Sequence, residues 1–298
     1  MSKICNSDNA SLSLSTDYES APESLIQWFP EGFVFGILTK YARSSIQHWA
    51  KIRLIRIFAR LLRRKVLAFW HVGRFQTDAS DYIGWALLTR GSFEARSMSH
   101  AVRIMRNTDG VFLDVGAHHG LYVVAVGMAS ACNIVAVEGS LGNLQRLSKN
   151  VALNPRLRVS IVSCCATALD TLVQLSSEPL GRSAWTRVNE GEDKSDIPFV
   201  AGMTLEHILT RLKTGPVRLL KIDVEGYEAE VFRGLNWSGV FRPQYVLMEI
   251  NPSESVKMQF LLDHGYTART VDGTPLENVD SYPEGNLLFV DNGMLDEI

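Results

Sequence analysis

Cysteine is scarce in this sequence: 298 residues hold four, at Cys5, Cys132 and the adjacent pair Cys164 and Cys165. No C-x-x-C pair and no Cys/His metal spacing occurs, which argues against a disulfide framework and offers no metal-ligand set. This usage suits a reducing, cytoplasmic compartment. Long apolar runs are missing as well. Nowhere do about 18 or more apolar residues follow one another, and the Ser-, Asn- and Asp-rich segment 1–20 lacks the apolar centre of a signal peptide. Charge imbalance is slight, with 30 Lys and Arg against 32 Asp and Glu and a formal net charge of -2. Bulk electrostatics therefore give no reason to expect specific nucleic-acid binding or an acidic partner.

What remains is ample for a folded core: 46% of residues are hydrophobic and 21% charged, the balance of an ordinary globular chain. Three segments separate by composition. Residues 1–20 are polar and aperiodic and read as a disordered tail. Residues 21–90 read as a basic, helical N-terminal extension, and 91–298 as an α/β domain. Between Lys40 and Arg74 not one Asp or Glu occurs. There, Arg53, Arg56, Arg60 and Arg63 recur at helical spacing beside an apolar stripe of Leu54, Phe58, Leu61 and Leu62. Two readings stay open. The stripe packs on the following domain and the arginines form a solvated face, or the arginines meet an anionic ligand or the inner surface of a membrane as a peripheral contact. A second helix is predicted over Phe93–Arg106.

From Val111 onward short apolar runs alternate with helical stretches, the pattern of a parallel sheet with crossover helices. Predicted strands are Val111–Val115, Asn133–Val137, Val159–Ser163, Val217–Ile222 and Gln244–Ile250, with two closing strands over Tyr266–Val271 and Asn286–Val290. Helices are predicted over Gly120–Ser130, Asn143–Leu153, Leu205–Leu212, Glu225–Leu235 and Ser253–His264. The stretches Glu178–Phe199 and Asp272–Gly285 read as variable loops that line an acceptor.

The first strand ends in Asp114-Val-Gly116-Ala117-His-His119-Gly120 and runs straight into a helix. Glycine at 116 and 120 permits a sharp turn and close backbone approach, and the helix N-terminus offers amides to a nucleotide-like ligand. The spacing is G-x-x-x-G, not the G-x-G-x-x-G of dinucleotide sites. The second strand ends in Glu138, a carboxylate able to accept both hydroxyls of a ribose, which suits NAD and S-adenosylmethionine alike. Cys164-Cys165-Ala166 ends the third strand, either as an apolar lining for a flat base or as plain buried structure. Asp223 and Glu225 close the fourth strand and Glu249 the fifth. Open α/β sheets bind ligands at the carboxyl ends of their strands, so these three acids should share one crevice. There they can attract a cation or take the proton an alcohol loses on methylation. Glu228 and Glu230 read as ordinary acids at a helix N-terminus.

Together these runs resemble the FkbM-type methyltransferases. The matching residues are Asp114–Gly120, Ala136-Val-Glu138 with Asn143, Leu144 and Asn150–Asn154, Leu220-Lys-Ile-Asp-Val-Glu-Gly226 with Glu230, Arg233 and Gly234, and Leu247-Met-Glu249. Gly91-Ser-Phe-Glu94 is similar to the G-x-aromatic-Glu element that precedes such domains. The resemblance implies a doubly wound, mostly parallel seven-strand sheet of the Rossmann-like class I type. It also implies S-adenosylmethionine as cofactor and O-methylation of a hydroxyl on a saccharide or natural product. Carried onto this chain, the cofactor meets Glu94, Asp114, Gly116, Ala117, His119, Gly120, Glu138, Asn143, Cys165, Ala166 and Asp223, and the chemistry falls to Asp223, Glu249 and Glu225. Departures are His118 where the family has Asn, Gly139 where a Pro is common, and Glu206 where Asp follows Thr-Leu. Two other readings are a non-catalytic module that binds a membrane or polyanion through its basic helix and an NAD-dependent oxidoreductase. The acids at three strand ends argue against the first, and the missing central glycine against the second.

Overall fold

The computed structural model describes residues 29–30, 37, 40–44, 57, 65–70, 73–78, 81–106, 108–177, 186–188, 198–250, 255–276, 282 and 285–297. The chain runs through β1 (Phe29–Pro30), β2 (Lys65–Trp70), β3 (Gly73–Asp78), α1 (Tyr82–Thr89), α2 (Ala95–Met105), β4 (Val111–Val115), α3 (Leu121–Ser130), β5 (Asn133–Val137) and α4 (Leu141–Ala152). There follow β6 (Arg158–Val162), β7 (Cys165–Ala166), β8 (Thr171–Ser177), β9 (Thr186–Val188), β10 (Phe199–Met203), α5 (Leu205–Leu212) and β11 (Val217–Ile222). The last elements are α6 (Glu228–Arg233), β12 (Tyr245–Ile250), α7 (Ser255–Asp263), β13 (Tyr266–Thr270) and β14 (Gly285–Asp291).

Seven strands form the main sheet in the order β13-β14-β12-β11-β4-β5-β6. The five from β6 to β12 are parallel, and β14 lies antiparallel between β12 and β13. The doubly wound expectation is met, because apolar runs such as Val-Phe-Leu-Asp-Val in β4 are buried on both faces. Alternation along each strand divides the core. Phe112, Ile134, Ala136 and Leu219 pack with α1, α2, α3 and Leu147 of α4. Val111, Leu113, Val135 and Leu220 pack with α5, α6 and α7.

Two regions depart from the expectation. Where the extension is expected to be helical, β2 and β3 pair as an antiparallel hairpin. Lys65-Val-Leu-Ala-Phe-Trp70 is rich in strand-forming residues, and β3 buries Gly73, Phe75 and Thr77 while Arg74 is exposed, a period of two. A Cβ on Gly73 would lie 3.0 Å from Val124 Cγ1, so the hairpin sits directly on α3. Second, β7, β10, β8 and β9 make a small sheet of their own. It brings strand structure into the stretch expected to be the loop Glu178–Phe199. The segment 1–20 and the arginines Arg53, Arg56, Arg60 and Arg63 lie outside the described residues. One basic residue of that stretch, Arg43, serves a local purpose. Its guanidinium donates to the carbonyls of Leu87 at 2.7 Å and Leu88 at 3.3 Å at the end of α1. No helix among the described residues is long and apolar enough to cross a membrane.

Candidate active site

The crevice lies where β4, β5, β11 and β12 end, and its backbone is forced into uncommon conformations. Gly116 has φ +78°, and a Cβ there would stand 1.9 Å from the carbonyl oxygen of Asp223. Only glycine lets the loops after β4 and β11 touch. The amides of Gly116 and Ala117 both donate to Val137 O at 3.0 Å. Glu94, His118 and Glu225 hold left-handed φ values of 48°, 51° and 54°. The other described non-glycine residues with positive φ, Ala131 and Lys213, merely end helices. Strain gathered around a crevice points to function. His118 in place of the family's Asn keeps the requirement, since both residue types are enriched in this region.

At the β5 end, Glu138 is 7% exposed. Its Oε2 accepts from the amide of His118 and its Oε1 from that of Ser140, each at 2.7 Å, and Asn143 of α4 also favours its charged form. Burial raises its proton affinity, and these donors oppose the rise. Behind it, a Cβ on residue 139 would meet Cys165 Sγ at 2.5 Å. Glycine in place of the common proline is thus matched to the cysteine beside it. Cys164 and Cys165 are buried, and burial pushes both thiols up to about 12. Ala166 is buried beside them. These residues are an uncharged wall.

At the other end, one buried cation organises several carboxylates. Lys221 Nζ donates to Asp223 Oδ2 at 3.2 Å, stands 4.0 Å from Asp114 Oδ1, and lies 4.9 Å from the centre of the Tyr122 ring. Burial works against its charge, but Asp223, Asp114 and Glu94 outweigh that and hold the ammonium above its ordinary range. Asp114 is 1% exposed, and burial raises its carboxyl to about 6. Glu94 accepts from the Tyr122 hydroxyl at 2.8 Å, and burial raises its carboxyl too, with Asn286 of β14 among the groups that oppose the rise. Glu249 opens to solvent at the end of β12, cross-strand from Asn286. Partial desolvation, then the carboxylates of Asp223, Glu94 and Glu225, raise it to about 7. The turn that carries Glu225 is held from within by Glu228, whose Oε1 accepts from the amides of Val224 and Gly226 at 3.3 and 3.2 Å.

The structure thus brings Glu94, Asp114, Asp223, Glu225 and Glu249 to one end and Glu138, Asn143 and Cys165 to the other, with Gly116, Ala117 and Gly120 between them. It does not bring the His119 ring to the strand-end acids; Asn143 is the member of this group that lies beside it. That ring is fully buried, stacked on His118 at 3.7 Å, with Nε2 3.0 Å from Arg146 Nη1 and Nδ1 3.7 Å from Asp81 Oδ2. The residue expected at the cofactor instead ties the loop to α1 and α4. Sequence reading passes over the His118 amide, Lys221, Tyr122, Asn286 and the buried role of Glu228. The only signal is the lysine inside a buried strand, a position that demands partners. Among the described residues no cluster of His, Cys, Asp or Glu could hold a metal ion. S-adenosylmethionine fits what is present. Each Glu138 oxygen has acceptor capacity beyond its amide bond. Asp114 Oδ1, buried and without a hydrogen-bond partner, suits a ligand donor or cation.

Among solved structures, the chain is similar to the precorrin-6y C5,15-methyltransferase from Geobacter metallireducens GS-15, with 14% identity, TM-score 0.36, and coverage of 66% of this chain and 87% of that one. It is also similar to Aeropyrum pernix fibrillarin in complex with natively bound S-adenosyl-L-methionine, with 16% identity, TM-score 0.38, and coverage of 62% and 68%. Neither likeness bears on the acceptor. No curated protein matches the sequence significantly. The methyltransferase FkbM domain model matches residues 114–268, just over half of the chain and all four strand-end motifs. The chain belongs to the FkbM methyltransferase family, with S-adenosylmethionine as its cofactor.

Proposed function

We propose that this protein methylates a hydroxyl oxygen on a saccharide or a natural product, with Glu249 as the proton acceptor and Asp223 as the group that orients the hydroxyl. The observation that carries the reading is the pairing of these two acids. Ile222 and Met248 are register partners on adjacent parallel strands, so Asp223 and Glu249 leave the sheet side by side next to the glycine loop. When bound, the cofactor supplies a methyl group on a sulfonium. Glu138 would receive the ribose hydroxyls, and Gly116, Ala117 and Gly120 give the backbone close approach. Asp114, Glu94 and Glu225 add negative charge that favours a cationic cofactor. A base whose proton affinity sits near neutrality is suited to take the hydroxyl proton as the oxygen gains its methyl. Most of the remaining acceleration comes from holding oxygen and methyl in line.

The test uses isotope-labelled S-adenosylmethionine, the purified full chain and a panel of mono- and oligosaccharides and hydroxylated natural products, with the methylated atom assigned by NMR. Label on oxygen, lost in Glu249→Gln, is the expected result. Label only on nitrogen or carbon acceptors would reject the hydroxyl assignment.

A further inference from the structure

The family match begins at residue 114, yet the hairpin before it is held by two asparagines of α4 and its C-terminal turn, one of which also reaches the cofactor loop. Asn154 Oδ1 accepts from Arg74 N at 2.7 Å and its Nδ2 donates to Arg74 O at 2.6 Å. Asn150 Oδ1 accepts from Gln76 N at 2.7 Å and its Nδ2 donates to Gln76 O at 3.2 Å. Each side-chain amide supplies one acceptor and one donor, as a neighbouring strand residue would. The spacing matches: four residues of helix rise about 6 Å, and two residues of strand about 6.8 Å. Two alternate residues of β3 are therefore paired by a helix, which satisfies backbone groups that an edge strand leaves open.

The two asparagines differ in their second N–H. Asn154 Nδ2 donates it to Asn150 O at 2.7 Å, within α4. Asn150 Nδ2 donates it to His119 O at 2.8 Å, in the glycine loop. The neighbouring amide, that of His118, is the donor that fixes Glu138. A second tie runs through the His119 ring to Arg146, which donates to Asp81 Oδ2 at 2.8 Å just before α1. Burial, with His118 and Arg146 beside it, pushes this imidazole down to about 2, so the tie is neutral at its histidine.

We propose that Asn150 is a positioning residue that couples the glycine loop to the β2–β3 hairpin, so that β3 acts as part of the cofactor site. This rests on the loop being where the cofactor binds. Coupling is reciprocal: a ligand that steadies the loop steadies the docked hairpin by the same factor. Both asparagines are buried, at 0% and 3% exposure, and each makes two bonds to β3. A merely structural role would make them equivalent.

The experiment measures S-adenosylhomocysteine affinity by calorimetry and amide hydrogen exchange with and without that ligand, on the full chain and on Asn150→Asp and Asn154→Asp. Each change keeps the acceptor and removes the donors. In the wild type the ligand should slow exchange at Arg74 and Gln76 by about tenfold, within the usual range of such couplings. Asn150→Asp should weaken binding about tenfold and abolish the ligand-dependent slowing, whereas Asn154→Asp should stay within about twofold of wild-type affinity. Equal affinities in the two variants would overturn the coupling. So would unchanged exchange at Arg74 and Gln76 in saturated wild type, a result that needs no variant to fold. A wild type that fails to bind S-adenosylhomocysteine would overturn the cofactor placement itself, and the coupling with it.

Discussion

At one end of the crevice Glu138 receives two backbone amides at 2.7 Å, while at the other Asp223 and Asp114 share a single ammonium, Lys221, at 3.2 and 4.0 Å. Amide donors arrive with the fold and have no charge of their own to desolvate, so the carboxylate they hold is fixed in orientation. Carboxylates held by a buried cation and by each other are balanced against burial, and their proton affinities move with their neighbours. The first arrangement suits recognition of a ribose. The second suits a proton that has to move.

The sharpest way to break this contrast is to remove the cation. Lys221→Met should leave Asp114, Asp223 and Glu94 without their counter-charge, a loss on the order of 3–5 kcal/mol in stability if they stay ionised. The expected result is a large fall in denaturation midpoint. An unchanged midpoint would mean that the acidic end does not depend on Lys221. Glu249→Gln comes next. It keeps the shape, and turnover on a found acceptor should drop about 10²–10⁴-fold, the usual contribution of a general base. In the wild type, activity should rise as pH passes through about 7, where Glu249 loses its proton, and this limb should vanish in the variant. A limb that persists in Glu249→Gln would assign the base elsewhere.

At the ribose end the expected effect is smaller and confined to binding. Glu138→Ala removes a charged acceptor pair worth about 1.5–3 kcal/mol, or roughly 10- to 150-fold in cofactor affinity. Calorimetry with S-adenosylhomocysteine reads it directly, and undiminished affinity would take Glu138 out of the ribose role.

The parts of this contrast that can be read in one dimension are the local ones. Apolar runs buried on both faces mark β4, β5 and β11, and strand-end acids with a glycine turn mark Asp114, Glu138, Asp223 and Glu249. Contacts between distant residues leave no such trace. Tyr122 and Glu94 are 28 residues apart, and Asn150 and Gln76 are 74 apart. His119 is expected at the cofactor because it lies inside the glycine motif, but a motif fixes the backbone path and not the direction of a side chain. The β2–β3 hairpin lies next to a strongly basic segment of helical spacing, and its own alternation is only a few residues long. The small sheet around β8 escapes for the same reason: Thr171-Leu-Val-Gln-Leu175 is too short to separate strand from loop by periodicity.

The smallest effect concerns stability against pH, and here the acidic end should reveal itself without any substrate. Glu249 is raised from 4.5 to about 7 by partial desolvation and then by Asp223, Glu94 and Glu225. The folded chain therefore binds this proton more tightly than the unfolded chain between those two values, and the contribution of this group to stability falls as pH rises through that window. Asp114, raised to about 6, acts in the same direction. Asp170 and Asp291, whose carboxyls are lowered, act oppositely at more acid pH, and His119 and His100, whose imidazoles burial pushes down to about 2 and about 4, act oppositely within the window itself, because the unfolded chain takes up their protons first. Because the Glu249 side chain is open to solvent, screening reduces its share to about 1 kcal/mol or less, or about 2–4 °C for a domain of this size. Thermal denaturation of the ligand-free chain and its variants between pH 5 and 8 at constant ionic strength isolates the carboxylates, because the histidine contribution is common to all of them. From pH 5 to 8 the wild-type midpoint should fall relative to that of Glu249→Gln by those few degrees, and relative to that of Glu138→Gln by less, because amide donors oppose the effect of its burial. A wild-type midpoint that rises relative to that of Glu249→Gln from pH 5 to 7, or a Glu138 variant that changes the pH dependence more than the Glu249 variant, would reverse the assignment of which end is tuned by charge and which is fixed by the backbone.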